Sequence, residues 1–313
     1  MITFARVSGP DLIAVGETFE DLVFFDLPRL PGPGQEVRTG SFLRTIGGGA
    51  AITAVAAGRL GVSCQVVSAL APRAVSRLRA EGVAARNLRK SGEPHAVSAA
   101  LSTSRDRAFV TYEGVNPQLE PRLTAWLARP VSARHVHFAL CPADCARWLP
   151  IVNSLRVRGV GTSWDFGWNE ALVTDKGFAT LARAIDVLFM NSAEARLYRR
   201  APGLSAGARL WRDGPGMLVL KLGPRGARAI SPGHDLTVPS RPVVPVDTTG
   251  AGDAFNAGFL AARLAGKRLA ACLRLGNAAG AWATQAPGGL DGLPRLHHGD
   301  TLRPPTSRGS GRR

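Results

Sequence analysis

A glycine-rich turn at residues 250–252 leads directly into a run of small and apolar residues at 254–264. Because that run has the length and composition of a buried helix, a helix has to begin at or just after the turn. The first backbone N–H groups of a helix lack partners within the helix, and the helix dipole adds about half a positive charge there. The turn is therefore predicted to bind an anion such as phosphate, with Gly250 and Gly252 allowing a close backbone approach.

Asp253 lies in the first turn of this predicted helix. The helix dipole favours the ionised carboxylate, so Asp253 is expected to be a weak base. Phosphoryl transfer tolerates a weak base, because the acceptor hydroxyl loses its proton late and the protein mainly positions groups and neutralises charge. An ordinary helix start with an acid in a favourable place is the alternative interpretation of the same residues.

Short apolar segments alternate with helical segments along most of the chain, which is typical of a parallel α/β sheet. The predicted strands of that sheet are residues 11–16, 134–140, 160–165, 185–190 and 218–223. A second, small sheet is predicted from residues 17–27 and 36–45 and from a hairpin formed by 96–101 and 108–112. The fold class is therefore α/β, with a central mostly parallel sheet and a small β-sheet beside it.

The sequence DTTGAGDAFNAGF at residues 247–259 resembles the C-terminal signature of the PfkB, or ribokinase-like, family of carbohydrate and nucleoside kinases. The resemblance implies a three-layer α/β/α fold in which residues 1–290 form the kinase domain and the small sheet is a lid. It also implies that Asp253 is the catalytic base of an ATP-dependent phosphotransferase. The residues that the resemblance implies as an anion hole for the transferred phosphate are Gly250, Ala251 and Gly252.

A second glycine-rich turn resembles the N-terminal signature of the same family, in which two glycines and a downstream Asn contact the sugar. Gly47 and Gly48 match the two glycines, whereas Ile52 stands where the family commonly has Asn. The acceptor is therefore expected to lack the hydroxyl that the family grips there. Asp21 matches a substrate-binding Asp, because a carboxylate can accept hydrogen bonds from two hydroxyls of a polyol. Asp165, at the end of a predicted strand, is a further candidate near the substrate.

Other positions resemble the nucleotide side of the family's site. Asn191 and Glu194 resemble its Asn-x-x-Glu motif and are expected to hold Mg²⁺ through water beside the phosphates, since Mg²⁺ prefers oxygen ligands and keeps several waters. The same two residues also fit a plain N-cap with a capping box. Asp247 and Thr249 resemble positions that bind a monovalent cation such as K⁺ in some members. The residues expected to contact ATP are Asn191, Lys221, Gly223 and Asn277.

The formal net charge of +16 raises nucleic acid as a partner, but the distribution of the charge argues against it. Most of the 39 basic residues are Arg, scattered among Ala, Gly and Pro, with neither a zinc-ligand spacing nor a continuous basic helix. No apolar run approaches the roughly 20 residues that span a bilayer, which excludes a membrane partner. Without a signal-peptide pattern, a cytoplasmic location is expected. Residues 291–313 are expected to form a disordered basic tail.

Three alternatives remain beside a kinase that acts on a hydroxyl of a sugar or sugar-like alcohol. A nucleoside kinase would use the same phosphate chemistry. A non-catalytic relative that binds nucleotide or sugar is the second, because the N-terminal signature departs at Ile52 and the segment after Leu70 is shorter than the family's Gly-Asp-Asp segment. A nucleic-acid-associated protein is the third. A homodimer through the small sheet is a further hypothesis, since exposed edge strands need covering.

Overall fold

The structure, a computed structural model, describes residues 9–103, 106–212, 214 and 216–293. The strands in this part of the chain are β1 (Leu12–Gly16), β2 (Phe19–Leu27), β3 (Ser41–Gly47), β4 (Cys64–Ser68), β5 (Ala84–Asn87), β6 (Val97–Thr103), β7 (Arg107–Tyr112), β8 (His135–Ala139), β9 (Gly161–Asp165), β10 (Val187–Asn191), β11 (Met217–Lys221), β12 (Ala227–Ser231) and β13 (His234–Val238). The helices are α1 (Gly49–Arg59), α2 (Pro72–Ala80), α3 (Leu119–Leu127), α4 (Cys145–Val157), α5 (Phe178–Ala184), α6 (Ser192–Tyr198), α7 (Arg209–Arg212), α8 (Ala251–Leu264) and α9 (Leu269–Ala283). The predicted tail lies outside the described residues from position 294 onward.

The large sheet has the strand order β13-β12-β11-β10-β9-β8-β1-β4-β5 within the described chain. Its strands are parallel from β5 to β11, and β12 pairs antiparallel with both β11 and β13. The central strands are apolar on both faces, as β1 shows with five consecutive buried residues. Such strands need helices on both sides, which confirms the predicted α/β class with a mostly parallel sheet.

Helices cover both faces of the large sheet. One face packs its apolar side chains against α1, α2, α8 and α9. The other face packs against α3, α4, α5 and α6, with a core of stacked and edge-on aromatic rings that includes Trp148 and Trp164. The result is the three-layer arrangement predicted from the sequence. The carboxyl ends of the parallel strands therefore meet at one edge, where ligands of open α/β sheets bind.

The contact between α8 and α9 is close because glycines face it. A Cβ atom on Gly258 would lie 2.6 Å from a carbonyl oxygen of α9, and one on Gly276 would lie 2.9 Å from the ring of Phe255. A Cβ on Gly280 would lie 3.1 Å from the carbonyl oxygen of Ala251, the first residue of α8. Backbone from α9 thus supports the first turn of α8, and this support fixes where the N-terminus of α8 points.

The small sheet has the strand order β3-β2-β6-β7, which confirms the prediction of a second sheet. Strand β2 pairs antiparallel with β3 and parallel with β6, and β6 and β7 form the predicted hairpin. Strand β3 begins at Ser41, five residues later than the predicted 36–45. The Thr39 hydroxyl accepts the amide of Ser41 and donates to the carbonyl of Phe25, so the chain turns before it enters the strand.

Across the described ranges, no helix combines the length and the apolar character that crossing a membrane requires.

Gly258→Ala is expected to lower the free energy of unfolding by about 1–3 kcal/mol, because the added methyl meets a backbone carbonyl that moves only if α8 and α9 separate. Denaturant unfolding followed by circular dichroism measures this change. Gly40→Ala is the matched control, since no atom lies within 4 Å of the Cβ added there; it is expected to shift stability by at most about 0.5 kcal/mol. Equal stability of the two variants would contradict the close helix contact.

Candidate active site

The N-terminus of α8 lies at the carboxyl edge of the large sheet and carries the glycine-rich turn. Gly250 is the N-cap, with the left-handed φ of 70°, and the helix begins at Ala251 as predicted. A Cβ on Gly250 would lie 2.9 Å from the Cδ1 atom of Ile52, so the turn packs directly on that side chain. The amide of Ala251 is bonded to the carbonyl of Thr248 at 3.3 Å, so, as far as the chain is described, the amides of Gly252 and Asp253 are the ones left unpaired in the first helical turn. The first turn is thus held beside the other glycine-rich turn, from which α1 begins.

Asp253 faces the turn that contains Gly47, Gly48 and Gly49. A Cβ on Gly49 would lie 3.0 Å from Asp253 Oδ1 and 2.9 Å from the Cβ of Ala139 at the end of β8. The carboxylate thus projects from α8 to a place between the two glycine-rich turns. The role of Asp253 as the base for an acceptor hydroxyl stays a prediction.

The protonation of Asp253 differs from the sequence-based expectation. Burial, followed by the nearby charges of Asp165 and Glu194, raises its pKa to about 7, and the opposing charge of Lys221 offsets only part of this. The expectation of a weak, fully ionised base considered only the local helix dipole and is corrected by these tertiary neighbours. A carboxylate with a pKa near 7 is a much stronger proton acceptor than an exposed Asp.

Lys221 lies at the end of β11 and reaches the anion-binding turn. Its Nζ would be 3.1 Å from a Cβ on Gly252, and it forms an ion pair with Asp165 Oδ2 at 2.5 Å. Burial disfavours the charged amine, but the carboxylates of Asp165 and Glu194 outweigh this and raise the pKa of Lys221. A permanently charged ammonium therefore lies next to the unpaired amides of α8, and both favour an anion at the same place.

Asp165 has most of its hydrogen-bonding capacity used within the protein. In addition to Lys221, it accepts Asn256 Nδ2 at 2.7 Å on Oδ2 and the amide of Gly167 at 3.2 Å on Oδ1. Burial opposes its ionisation, but the charge and hydrogen bond of Lys221 prevail and lower its pKa. These contacts favour a role in positioning Lys221, and the substrate contact predicted for Asp165 stays a prediction.

Asn191 and Glu194 adopt the capping box at the start of α6. The Asn191 side chain accepts the amides of Ala193 and Glu194 at 2.8 and 2.9 Å, and Glu194 Oε2 accepts the amide of Asn191 at 2.7 Å. The pair therefore forms the N-cap and capping box that the sequence offered as the alternative to a metal site. Glu194 also lies close enough to Asp253 and Lys221 to influence their pKa values.

The charges around this pair fit a divalent cation. The mutually interacting groups are the carboxylates of Asp165, Glu194 and Asp253 and the single ammonium of Lys221, so acids exceed bases. Oxygen-rich, negatively charged surroundings are what Mg²⁺ prefers, and it needs few protein ligands because it keeps its waters and binds phosphates. Where the chain is described, there is no cluster of three or more His, Cys, Asp or Glu residues able to hold a metal without such help.

Asp21 lies over the other glycine-rich turn. A Cβ on Gly47 would lie 1.9 Å from Asp21 Oδ2, so only glycine leaves room for this carboxylate. Burial, together with the charge of Asp247, raises the pKa of Asp21 to about 7. The predicted substrate residues Asp21, Gly47 and Gly48 and the predicted base Asp253 therefore border one turn.

Two residues predicted to contact the nucleotide have other surroundings. Asn277 donates its amide to the carbonyls of Val238 and Pro239, at 3.0 and 3.3 Å, and so ties α9 to the end of β13. Gly223 follows β11 with a left-handed φ of 61°, and a Cβ there would meet no atom within 4 Å. Gly223 thus faces open space beside Lys221, whereas the contacts of Asn277 are those of a structural residue.

Sequence reasoning missed Arg107, which contacts the signature directly. Arg107, at the start of β7, donates to the hydroxyls of Thr248 and Thr249 at 2.5 Å and pairs with Asp247 Oδ1 at 3.1 Å. In the sequence it stands in an unremarkable polar turn, and no motif marks it. Glu17, after β1, was also missed; burial and then Glu113 raise its pKa.

Comparison with known proteins shows the family of the chain. The family model described as "pfkB family carbohydrate kinase" matches residues 10–296. The nucleoside kinase of Methanothermobacter thermautotrophicus is 27% identical over 293 residues, which cover 91% of this chain and 92% of that protein. The ribokinase of Bacillus subtilis is 39% identical over 88 residues, but this match spans only 28% of this chain and 30% of that protein.

Among solved structures, the fold is similar to that of a putative ribokinase II from E. coli in complex with ATP and Mg²⁺. The TM-score is 0.72, and the alignment covers 91% of this chain and 96% of that one at 21% identity. At that identity the structural similarity shows only the fold. The family is shown by the family model, which matches nearly the whole chain. The chain belongs to the pfkB family of carbohydrate kinases.

Proposed function

We propose that the protein transfers the γ-phosphate of ATP to a hydroxyl of a sugar or sugar-like alcohol. The observation that carries this proposal is the convergence of three groups at the start of α8. The carboxylate of Asp253, the ammonium of Lys221 and the unpaired amides of the first helical turn lie together between two glycine-rich turns. An acid beside two anion-binding elements is the set that phosphoryl transfer to a hydroxyl requires.

In the proposed reaction the acceptor oxygen forms a bond to the γ-phosphorus while the bond from that phosphorus to the β,γ-bridging oxygen breaks, and ADP leaves. Asp253 takes the proton of the acceptor hydroxyl. The amides at residues 250–252 and the ammonium of Lys221 stabilise the negative charge on the transferred group. Asp165 and Asn256 act indirectly, by holding Lys221 in place.

Bound Mg²⁺ would supply positive charge to the phosphates of ATP. The residues that would hold it, through water, are Asn191 and Glu194, which stay predictions in this role. K⁺ beside Asp247 and Thr249 also stays a prediction, and the contacts of Asp247 do not favour it.

The acceptor site combines one polar and one apolar side. Asp21, over Gly47, offers a carboxylate for hydroxyl groups, whereas Ile52 packs against Gly250 and offers only methyl groups. An acceptor that fits would present hydroxyls to Asp21 and a carbon without a hydroxyl to Ile52. A nucleoside is the second candidate acceptor, because Ile52 adds an apolar contact where a hydroxyl-binding Asn was expected and a full-length relative is named a nucleoside kinase.

A homodimer through the small sheet is supported by apolar side chains at its edge. Phe109, Val110 and Tyr112 on the outer strand β7 are each more than half exposed. Covering them would remove apolar surface from water and protect the strand edge. The cytoplasmic location expected from the sequence stays a prediction.

Asp253→Asn is expected to lower kcat by about 10²- to 10⁴-fold, because the amide cannot accept the hydroxyl proton. Affinity for ATP is expected to stay similar, since Asp253 serves the acceptor. ADP release with a panel of pentoses, hexoses, sugar acids and nucleosides measures the rate, and calorimetry measures nucleotide binding. Glu36→Gln, which removes a carboxylate that is 72% exposed, is the control and should keep full activity. Full activity of Asp253→Asn on the best acceptor would refute its assignment as the base.

The pH dependence follows from the raised pKa of Asp253. Since only the ionised carboxylate accepts a proton, log kcat/KM is expected to fall by about one unit per pH unit below the pKa of about 7. Above that pH it should reach a plateau. Initial rates in buffers of constant ionic strength measure the profile, and the residual rate of Asp253→Asn should lack this limb. A wild-type profile that stays flat from about pH 5 to 8 would contradict a base with a raised pKa.

Lys221→Met separates the structural from the catalytic role of the ion pair. The single variant is expected to lose about 3–5 kcal/mol of stability, because it leaves the buried Asp165 carboxylate unpaired. The double variant Lys221→Met, Asp165→Asn should recover most of that stability without recovering kcat. Thermal unfolding and ADP release measure the two effects. If the double variant regains the wild-type rate, Lys221 does not act on the transferred phosphate.

A further inference from the structure

Arg107 joins the small sheet to the loop that carries the kinase signature. It lies at the first position of β7, whereas Asp247, Thr248 and Thr249, its partners, precede α8. Nη1 donates to Thr249 Oγ1 at 2.5 Å and lies 3.1 Å from Asp247 Oδ1, and Nη2 donates to Thr248 Oγ1 at 2.5 Å. The guanidinium side chain is only 27% exposed and the Asp247 side chain 10%, so water screens this pair poorly.

Thr249 and Arg107 together occupy one oxygen of the Asp247 carboxylate. Oδ1 accepts the amide of Thr249 at 2.9 Å and its hydroxyl at 2.7 Å in addition to Arg107, and Oδ2 accepts the amide of Gly288 at 2.9 Å. Three donors thus converge on Oδ1, and one of them is a guanidinium whose positive charge repels a second cation at this place. The Thr249 hydroxyl donates to Asp247 and accepts from Arg107 at the same time. Asp247 and Thr249 therefore do not fit the monovalent cation that the sequence resemblance implies.

A positive charge is nonetheless required beside Asp247. Its oxygens accept hydrogen bonds from Gly288 and Thr249 and form an ion pair with Arg107, and all of these contacts favour the ionised carboxylate. Asp21 lies close enough for the charge of Asp247 to raise its pKa, and the anion-binding turn begins at Gly250, three residues after Asp247. An uncompensated carboxylate here would repel both the phosphates of ATP and an ionised Asp21.

We propose that Arg107 supplies in this kinase the positive charge that a bound monovalent cation supplies in others, so that the protein needs no K⁺. The fork of guanidinium donors matches a carboxylate and two hydroxyls. Since Arg107 belongs to the small sheet, the charge reaches Asp247 only when that sheet lies against the loop before α8. This inference rests on the proposed function, because the charge matters for ATP.

The test compares wild type with Arg107→Met in KCl and in choline chloride at equal ionic strength. Two quantities are measured in each salt: ADP release with the best acceptor, and affinity for ADP with Mg²⁺ by calorimetry. Wild type is expected to give the same values in both salts. Arg107→Met, which keeps the length of the side chain but removes its charge, is expected to be weakened about tenfold in choline and largely restored by K⁺.

Two control variants accompany the test. Arg107→Lys keeps a positive charge and should stay independent of K⁺. Arg38→Met removes an Arg whose side chain is 85% exposed and should respond like wild type. Circular dichroism shows whether each variant is folded, and if Arg107→Met is not folded, the response of wild type to K⁺ decides alone.

Three results would overturn the proposal. The first is activation of wild type by K⁺. The second is an equal loss in Arg107→Met in both salts, which would mean that Arg107 acts on a ligand or on folding alone. The third is an unimpaired Arg107→Met in choline. If no acceptor gives turnover, the proposed function fails, whereas the calorimetric response to K⁺ still decides the role of Arg107.

Discussion

The ion pair between Lys221 and Asp165 is the interaction on which the arrangement of the site depends. Each group comes from the end of a different parallel strand, so the pair exists only because the large sheet brings those ends to one edge. Burying either charge alone would cost several kcal/mol. Together they hold an ammonium beside the turn at Gly252. Burial is the main cause of the raised pKa of Asp253, and the carboxylate of Asp165 adds to it while Lys221 opposes it. One buried pair thus influences both the charge beside the turn and the proton affinity of Asp253.

Glycine makes the second contribution, by letting groups approach more closely than any side chain allows. Gly47 leaves room for the carboxylate of Asp21, Gly49 for that of Asp253, and Gly252 for the ammonium of Lys221. In each case a Cβ atom would occupy the place of a functional atom or press against it. The two glycine-rich turns therefore leave room for these functional groups because their glycines carry no side chains. The charged side chains come from elsewhere in the fold.

The sequence predicted the elements whose signals are local. The start of α8 follows from a glycine turn before an apolar run, and the parallel strands follow from short apolar segments between helices. Properties that depend on distant partners were not predictable. The pKa of Asp253 is raised by burial in the folded protein and by Asp165 and Glu194, which lie 88 and 59 positions away in the chain. Arg107 carries no local signal, because its role depends on how a hairpin lies against a loop 140 residues later. Asn277 is a residue type that often contacts ligands, yet its side-chain amide donates to the carbonyls of Val238 and Pro239 at the end of β13.

The glycines between α8 and α9 extend the functional site into residues that no ligand touches. Gly276 and Gly280 let α9 pack closely against Phe255 and the carbonyl of Ala251. They therefore fix the position of the first turn of α8 relative to α9. A bulkier residue at either position would push the unpaired amides out of line with Lys221 while leaving every charged side chain intact. In a screen for loss of activity, such substitutions would therefore group with those that remove the charged residues, although they lie a helix away.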